Sequence, residues 1–128
     1  MLHLIFEGTV FSGSGQGRRF VLLPWVWRQI QDKLGFTAYP GTLNIRLTQD
    51  SAEKRQLLDN AEGMVVEPEA GYCRGVLFRA QIGGLECAVI LPKIPKYPSD
   101  VLEVIAPVCL REKLNLADGG KVVVEVTV

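Results

Sequence analysis

The stretch from Thr42 to Leu47 alternates polar and apolar residues without a break, and this pattern constrains the fold more than any other feature of the sequence. A period of two predicts a β-strand with one apolar face against a core. The opposite face then carries Thr42, Asn44 and Arg46. A turn signal, Pro40-Gly41, comes directly before the strand.

Thr42 and Asn44 carry side-chain oxygens two residues apart on the same predicted face. Such positions lie about 6.5–7 Å apart at Cα, close enough for both side chains to reach one small cation. Mg²⁺ takes few protein oxygens and leaves its other positions to waters and phosphates. The alternation alone is equally typical of an ordinary half-buried strand with a solvated face, so both interpretations stay open at this point.

Length and composition indicate a single domain over residues 1–128. With 48% hydrophobic residues, the chain can bury a substantial core. Fourteen basic residues balance fourteen acidic ones. Because no global field attracts nucleic acid or an anionic membrane, we expect neither as a partner, and local clusters must form any anion site.

The N-terminal segment, the lengths of the apolar runs and the cysteines indicate a cytosolic protein. The segment Met1–Leu4 lacks the pattern of a signal peptide, and no apolar run approaches the roughly 18 residues needed to span a bilayer. Cys73, Cys87 and Cys109 form no CxxC pair, and His3 is the only histidine. We therefore expect reduced thiols, and the residues argue against a zinc site or a histidine-activated nucleophile.

Three alternate glycines, Gly13, Gly15 and Gly17, precede Arg18 and Arg19. Without side chains on one side of the loop, backbone N–H groups could approach a phosphate closely. A flexible hairpin loop is the competing interpretation. No Gly-Lys-Ser/Thr follows, which argues against a Walker loop. A dinucleotide fingerprint is not favoured either, because we predict that a strand follows, not a long helix.

The remaining periodicities predict a mainly β chain with short helices. A helix is expected from Pro24 to Leu34, ending at Gly35. Asp50 and Glu53 have capping-box spacing ahead of a short helix over 54–60, with Leu57 and Leu58 facing inward. Strands are predicted at 4–10, 20–23, 42–47, 64–66, 75–82, 85–91, 101–105 and 121–128, with a Gly83-Gly84 hairpin turn and a helical turn at 110–114. This pattern favours a small β-barrel decorated with helices.

Two further features suggest a site. The loop Pro92–Asp100 contains three prolines and could form a wall or lid. Glu103 interrupts the otherwise apolar strand Val101–Ile105, where a carboxylate is costly without a partner. It is either a functional acid in a cleft or a residue on a solvated face.

Several motifs, in order over nearly the whole chain, resemble the CTP-dependent riboflavin kinases of archaea. They are Gly13-Ser14-Gly15-Gln16-Gly17-Arg18 before Phe20, Gly35-Phe36 before Tyr39-Pro40-Gly41-Thr42-Leu43-Asn44, and Glu103-Val104-Ile105-Ala106-Pro107 followed by Leu110-Arg111-Glu112-Lys113-Leu114-Asn115-Leu116-Ala117-Asp118-Gly119.

The resemblance implies a six- to seven-stranded cradle-loop β-barrel that transfers the γ-phosphate of CTP to the 5′-hydroxyl of riboflavin, giving FMN and CDP. It implies Mg²⁺ on Thr42 and Asn44, and Glu103 on the flavin side as an orienting group or base. The nucleotide-binding residues that it implies are Gly13, Ser14, Gly15, Gln16, Gly17 and Arg18, with Leu110, Arg111, Glu112 and Lys113 on the other side.

The chain departs from the family pattern at the flavin side. The position of a flavin-contacting hydroxyl falls on Pro95, which has no hydrogen-bonding side chain, and Tyr97 or Ser99 could substitute for it. Some relatives carry an N-terminal helix-turn-helix domain. We expect this chain to be the stand-alone barrel and a monomer, although the sequence does not determine its oligomeric state.

Two other function classes compete with a kinase. One is a barrel that binds nucleotide or flavin without catalysing transfer. The other is a DNA-binding regulator, since Pro107–Gly120 also resembles the strand-helix-turn-strand element of swapped-hairpin transcription regulators. Zero net charge argues against the regulator, because duplex binding depends on a basic surface.

Overall fold

The structure, a computed structural model, describes residues 2–128. The first residue of the predicted domain, Met1, lies outside the described residues. The strands are β1 His3–Phe11, β2 Leu43–Leu47, β3 Met64–Val66, β4 Gly75–Ile82, β5 Leu85–Pro92, β6 Val101–Ile105 and β7 Lys121–Thr127. The helices are α1 Gln16–Val21, α2 Pro24–Leu34, α3 Gln49–Lys54, α4 Gln56–Asp59 and α5 Leu110–Lys113.

Six antiparallel strands close into a barrel. Hydrogen-bonded neighbours follow the order β3-β4-β5-β6-β2-β1-β7, and β4 also pairs with β7. The closing register places Ala80 opposite Val126 and Gln81 opposite Glu125. Strand β3 pairs with β4 and is the seventh strand, outside the closed ring. Closure leaves no free edges among the six strands, and it confirms the predicted six- to seven-stranded barrel.

The core has two parts, one inside the barrel and one beneath α2. Phe6, Ile45 and Leu102 are fully buried inside the barrel. On the outside, Ile30 of α2 packs in a second buried cluster that includes Leu77 of β4. Strands β4 and β5 are therefore covered on both faces, which explains why their sequences are nearly continuous apolar runs.

Local signals placed most elements correctly. Helix α2 begins at Pro24 and ends where Gly35 adopts a left-handed φ of +79° and donates its N–H to Gln31 O at 2.9 Å. Gly83 and Gly84, with φ of +56° and +79°, form the predicted hairpin turn. No helix among residues 2–128 is both long and apolar enough to cross a bilayer.

The strand predicted at 20–23 is wrong, because residues 16–21 form helix α1. Phe20 and Val21 have apolar side chains that suit a strand, but here they join the cluster around α2, and Val21 is fully buried there. Tertiary packing therefore overrides the local strand preference. The argument that a strand follows the glycine loop also fails. A dinucleotide fold is still not favoured, because α1 has only six residues and the antiparallel barrel has no parallel βαβ unit.

The helix predicted over 54–60 is also different in the structure. Two short helices, α3 and α4, occupy this region, and the N-cap is Thr48, whose hydroxyl accepts the N–H of Ser51 at 3.3 Å. Leu58 is buried, but Leu57 is 54% exposed. Adjacent residues on a helix point about 100° apart, so the two leucines do not both face the core.

This difference predicts unequal effects of two adjacent truncations. Leu58→Ala should lower the free energy of unfolding by about 2–5 kcal/mol, because it opens a cavity in the barrel core. Leu57→Ala, the matched control, should change it by no more than about 0.5 kcal/mol. Urea unfolding followed by circular dichroism measures both values, and equal losses would contradict the burial described here.

Candidate functional site

A cleft of about 690 Å³ opens where the glycine loop meets strands β2 and β6. The loop after β1 forms one wall, and the proline-rich loop between β5 and β6 forms another. The segment between β3 and β4 contributes Tyr72 and Cys73. Predicted site residues that line the cleft are Gly13, Ser14, Gly15, Gln16, Gly17, Arg18, Thr42, Asn44, Tyr97, Glu103 and Arg111.

Two of the three glycines allow the loop backbone to press against β2. A Cβ on Gly17 would lie 2.3 Å from Thr42 Oγ1 and 2.9 Å from Glu103 Oε1. A Cβ on Gly13 would lie 2.6 Å from Asn44 Nδ2. Any side chain at either position would push the loop away from the polar face of β2. The alternate spacing thus produces a close approach of backbone to strand.

Gly15 has a different role from its two neighbours. Nothing lies within 4 Å of a Cβ built there, but its φ is +86° and it is the N-cap of α1. Residues with side chains rarely adopt this conformation, so glycine is needed for the backbone geometry of the turn. The chain can then enter α1 directly behind the loop.

Glu103 is the centre of a hydrogen-bonded cluster in the cleft. Strand pairing sets Asn44 directly opposite Glu103. Thr42, just before β2, donates its hydroxyl hydrogen to Glu103 Oε1 at 2.9 Å, and Tyr97 donates its phenolic hydrogen to Oε2. The carboxylate therefore has a donor on each oxygen, which is how a partly buried acid in an apolar strand is stabilised.

The environment of Tyr97 keeps its hydroxyl protonated. Burial raises the pKa of Tyr97, and the hydrogen bond to Glu103 raises it further. At neutral pH Tyr97 is therefore a donor and not a base. It can orient the carboxylate of Glu103 but cannot accept a proton from a substrate.

The three residues predicted at the flavin side separate in the structure. Tyr97 lines the cleft and contacts Glu103, whereas Pro95 and Ser99 are exposed and lie outside the cleft lining. Of the two substitutes considered for the missing hydroxyl at Pro95, the geometry favours Tyr97. Pro92, Ile94 and Pro98 supply the rest of that wall.

Arg111 reaches the cleft but does not present a free charge there. Its guanidinium donates to Asp118 Oδ1 at 2.8 Å and to Phe11 O at 3.2 Å. The hydrogen bonds from Arg111 and then from Ser12 lower the pKa of the Asp118 carboxyl. Arg111 therefore fixes the start of the glycine loop. Arg18 is the other arginine that was predicted to bind the nucleotide and that lines the cleft.

The four residues from Leu110 to Lys113, predicted to contact a nucleotide, do not all line a cavity. Leu110 and Arg111 line a smaller cavity of about 150 Å³, which shares Thr42 with the main cleft. Glu112 and Lys113 are exposed and line neither of the two cavities. Val108 and Cys109, which come just before the predicted segment 110–113, also line the small cavity.

Sequence reasoning missed several residues in the cleft. Arg46 shares the polar face of β2, pairs with Asp100 at 3.2 Å and lies over the ring of Phe11 at 4.6 Å. The alternation had placed it on this face but gave it no role. Tyr72, which packs edge-on against Trp25 at 5.3 Å, lies on an irregular segment without any periodic signal.

The donor atoms fit a weakly held hard cation. Within residues 2–128, there is no group of three or more His, Cys, Asp or Glu side chains that could hold a metal ion. Thr42 and Asn44 instead offer neutral oxygens beside the glycine loop. Because Thr42 gives its hydrogen to Glu103, its lone pairs remain available. Such a donor set suits Mg²⁺, which takes its other ligands from water and phosphate.

A family model named CTP-dep_RFKase, with the description "Domain of unknown function DUF120", matches residues 10–126. This match covers β2 to β6 completely, β7 except its last residue, and only the last two residues of β1. The matched range includes the glycine loop and all the residues that line the cleft and the small cavity.

Curated relatives agree with the family match. The chain is 43% identical over 124 residues to a riboflavin kinase of Archaeoglobus fulgidus, covering 94% of this chain and 53% of that protein. It is 43% identical over 126 residues to one of Pyrobaculum aerophilum, covering 93% and 59%. A riboflavin kinase of Methanosarcina barkeri is 39% identical over 126 residues, covering 95% and 56%.

The chain thus spans a little over half the length of these relatives. The matched regions cover nearly the whole chain, and the family match contains the motifs that carried the resemblance. The chain belongs to the archaeal CTP-dependent riboflavin kinase family.

Proposed function

We propose that this chain transfers the γ-phosphate of CTP to the 5′-hydroxyl of riboflavin, giving FMN and CDP. The observation that carries the proposal is the convergence of the glycine loop, the neutral oxygens of Thr42 and Asn44, and Glu103 on one cleft. Family membership supports the identity of the substrates. Neither nucleic acid nor a membrane is a partner in this proposal.

The nucleotide phosphates would lie along residues 13–18. The first turn of α1 has backbone N–H groups without acceptors inside the helix, and Gly15 and Gly17 keep side chains away from them. Arg18 adds a positive charge at the cleft. The rest of the nucleotide would extend past Thr42 towards the small cavity at Leu110 and Arg111.

Thr42 and Asn44 would hold Mg²⁺. When bound, the ion neutralises charge on the phosphate oxygens, which is its usual contribution to phosphoryl transfer. Since both proposed ligands are neutral, most of the attraction for the cation would come from the nucleotide. We therefore expect metal and CTP to bind together.

Glu103 would act on the riboflavin hydroxyl. It lies opposite Asn44, next to the proposed metal ligands, and two donors hold its carboxylate in place. From there it could orient the 5′-hydroxyl or accept its proton. In phosphoryl transfer, most of the catalysis comes from positioning and charge stabilisation, so a strong base is not required.

The choice of nucleotide tests the proposal directly. With riboflavin and Mg²⁺ present, kcat/KM should be at least about tenfold higher with CTP than with ATP, which requires only about 1.4 kcal/mol of differential transition-state binding. Chromatographic separation of FMN from riboflavin measures the rates. Equal rates would contradict CTP specificity, and binding of riboflavin and CTP without FMN formation would indicate a non-catalytic binding protein.

Removing the hydroxyl of Thr42 tests the metal assignment. Thr42→Val keeps the β-branched shape, so the barrel should remain folded. The Mg²⁺ concentration for half-maximal transfer at saturating CTP should rise at least about fivefold, because one of two protein oxygens is lost. Thr127→Val, on β7 and outside the lining of both cavities, is the matched control. Superimposable Mg²⁺ titrations would show that Thr42 is not a ligand.

Neutralising Glu103 tests the acceptor side. In Glu103→Gln the amide nitrogen cannot accept a hydrogen bond, so Thr42 or Tyr97 loses its acceptor. We expect kcat to fall at least about tenfold while KM for CTP changes less than about twofold, a loss of transition-state stabilisation alone. Glu125→Gln serves as the control, because Glu125 is a half-exposed acid on β7 that pairs with His3. A selective rise in KM for CTP would place Glu103 on the nucleotide side instead.

A further inference from the structure

Arg55 is a buried cation at the junction of α3 and α4, in a segment where the sequence predicted only structure. The residue is 6% exposed, and its Nε is buried without a hydrogen-bond partner among residues 2–128. Burying a guanidinium is costly unless its contacts compensate. The contacts that Arg55 does make therefore show where it acts.

Arg55 makes a hydrogen bond and a cation–π contact with the loop between β5 and β6. Nη1 donates to Pro98 O at 3.2 Å, across 43 positions of sequence. The guanidinium carbon lies 5.4 Å from the ring centroid of Tyr97, within range of a cation–π interaction. Arg55 thus holds two neighbouring points of the loop that forms one wall of the cleft.

The same loop residue connects Arg55 to the proposed site. Tyr97 donates its hydroxyl to Glu103 Oε2, and Glu103 Oε1 accepts the hydroxyl of Thr42. Burial and Glu103 raise the pKa of Tyr97, while the charge of Arg55 lowers it by a smaller amount. A continuous set of contacts runs from Arg55 through Tyr97 and Glu103 to Thr42.

We propose that Arg55 is a positioning residue for phosphoryl transfer, which fixes Tyr97 so that Tyr97 can hold Glu103 in place. This inference rests on the proposed function of the cleft. Arg55 itself lines neither cavity, so it acts on the substrates only through the loop. This positioning requires a guanidinium, because one group donates a hydrogen bond to Pro98 O and lies against the Tyr97 ring at the same time.

The first test compares Arg55→Met with Arg79→Met. Methionine keeps the apolar stem of arginine as far as the position of Nε but removes the charge and the donors. Arg79 is the matched control because it donates to Lys33 O and Leu34 O at the end of α2 and lines neither cavity. We expect kcat to fall about tenfold in Arg55→Met, with KM for CTP within about twofold, and no change in Arg79→Met. Wild-type kcat in a folded Arg55→Met variant would overturn the proposal.

A double variant tests whether the effect passes through Tyr97. If it does, Arg55→Met should change kcat less than about twofold in a Tyr97→Phe background, because the hydroxyl it positions is already gone. A residue with a merely structural role would give the same fold loss in both backgrounds. Additive losses would therefore overturn the proposed route.

Trypsin provides a measurement that does not depend on activity. The loop contains two trypsin sites, Lys93 and Lys96. Cleavage there should be at least about fivefold faster in Arg55→Met than in wild type and unchanged in Arg79→Met. If wild type makes no FMN, the proposed function fails while this assay still reports the anchoring. If FMN forms but cleavage rates are equal, the anchoring fails and the proposed function stands.

Arg55→Lys keeps the test decisive if Arg55→Met does not fold. Lysine retains the buried charge, but one ammonium cannot both lie against the Tyr97 ring and keep the hydrogen bond to Pro98 O as the guanidinium does. We expect a folded protein with kcat lowered at least about threefold and faster cleavage of the loop. Arg55→Lys with wild-type kcat and cleavage rate would overturn the proposal.

Discussion

The antiparallel pairing of β2 with β6 is the contact on which the candidate site depends. It sets Asn44 opposite Glu103 and lets Thr42 donate to the same carboxylate. These side chains come from segments about sixty positions apart in sequence, and only the barrel brings them together. Because the pairing belongs to a closed ring of six strands, a slip in register would disturb every neighbouring strand.

Two loops complete the site by packing onto this strand pair. The glycine loop can approach only because Gly13 and Gly17 have no side chains, and Arg111 fixes its start through Phe11 O and Asp118. The loop between β5 and β6 approaches through Tyr97. Both loops are therefore held by specific polar contacts to the barrel, which suits chemistry that depends on exact placement of phosphates and an acceptor hydroxyl.

The charges around the cleft are mostly compensated within the protein. Arg111 pairs with Asp118, and Arg46 pairs with Asp100. Glu103 satisfies two hydroxyl donors, and the proposed metal ligands are neutral. If Thr42 and Asn44 hold Mg²⁺ as proposed, we expect the charge of the bound nucleotide to supply most of the attraction for the cation.

Elements with local signals could be predicted from the sequence alone. Strict alternation marked β2 and placed Thr42 and Asn44 on one face, and Pro24 and Gly35 marked the ends of α2. Paired glycines marked the β4–β5 hairpin. These signals depend on backbone geometry within a few residues, which is why they could be interpreted without knowing the rest of the chain.

Other features depend on how the chain folds and could not be predicted from local sequence. Val21 is helical because its side chain packs in the cluster around α2, and Leu57 is exposed because Leu58 takes the core position. The burial of Arg55 against the loop between β5 and β6 follows from a contact across 43 positions of sequence. The fold of that loop also sets Tyr97, and not Pro95 or Ser99, against Glu103 in the cleft. No local pattern encodes such contacts, since each is fixed by where the closed barrel places the opposing segment.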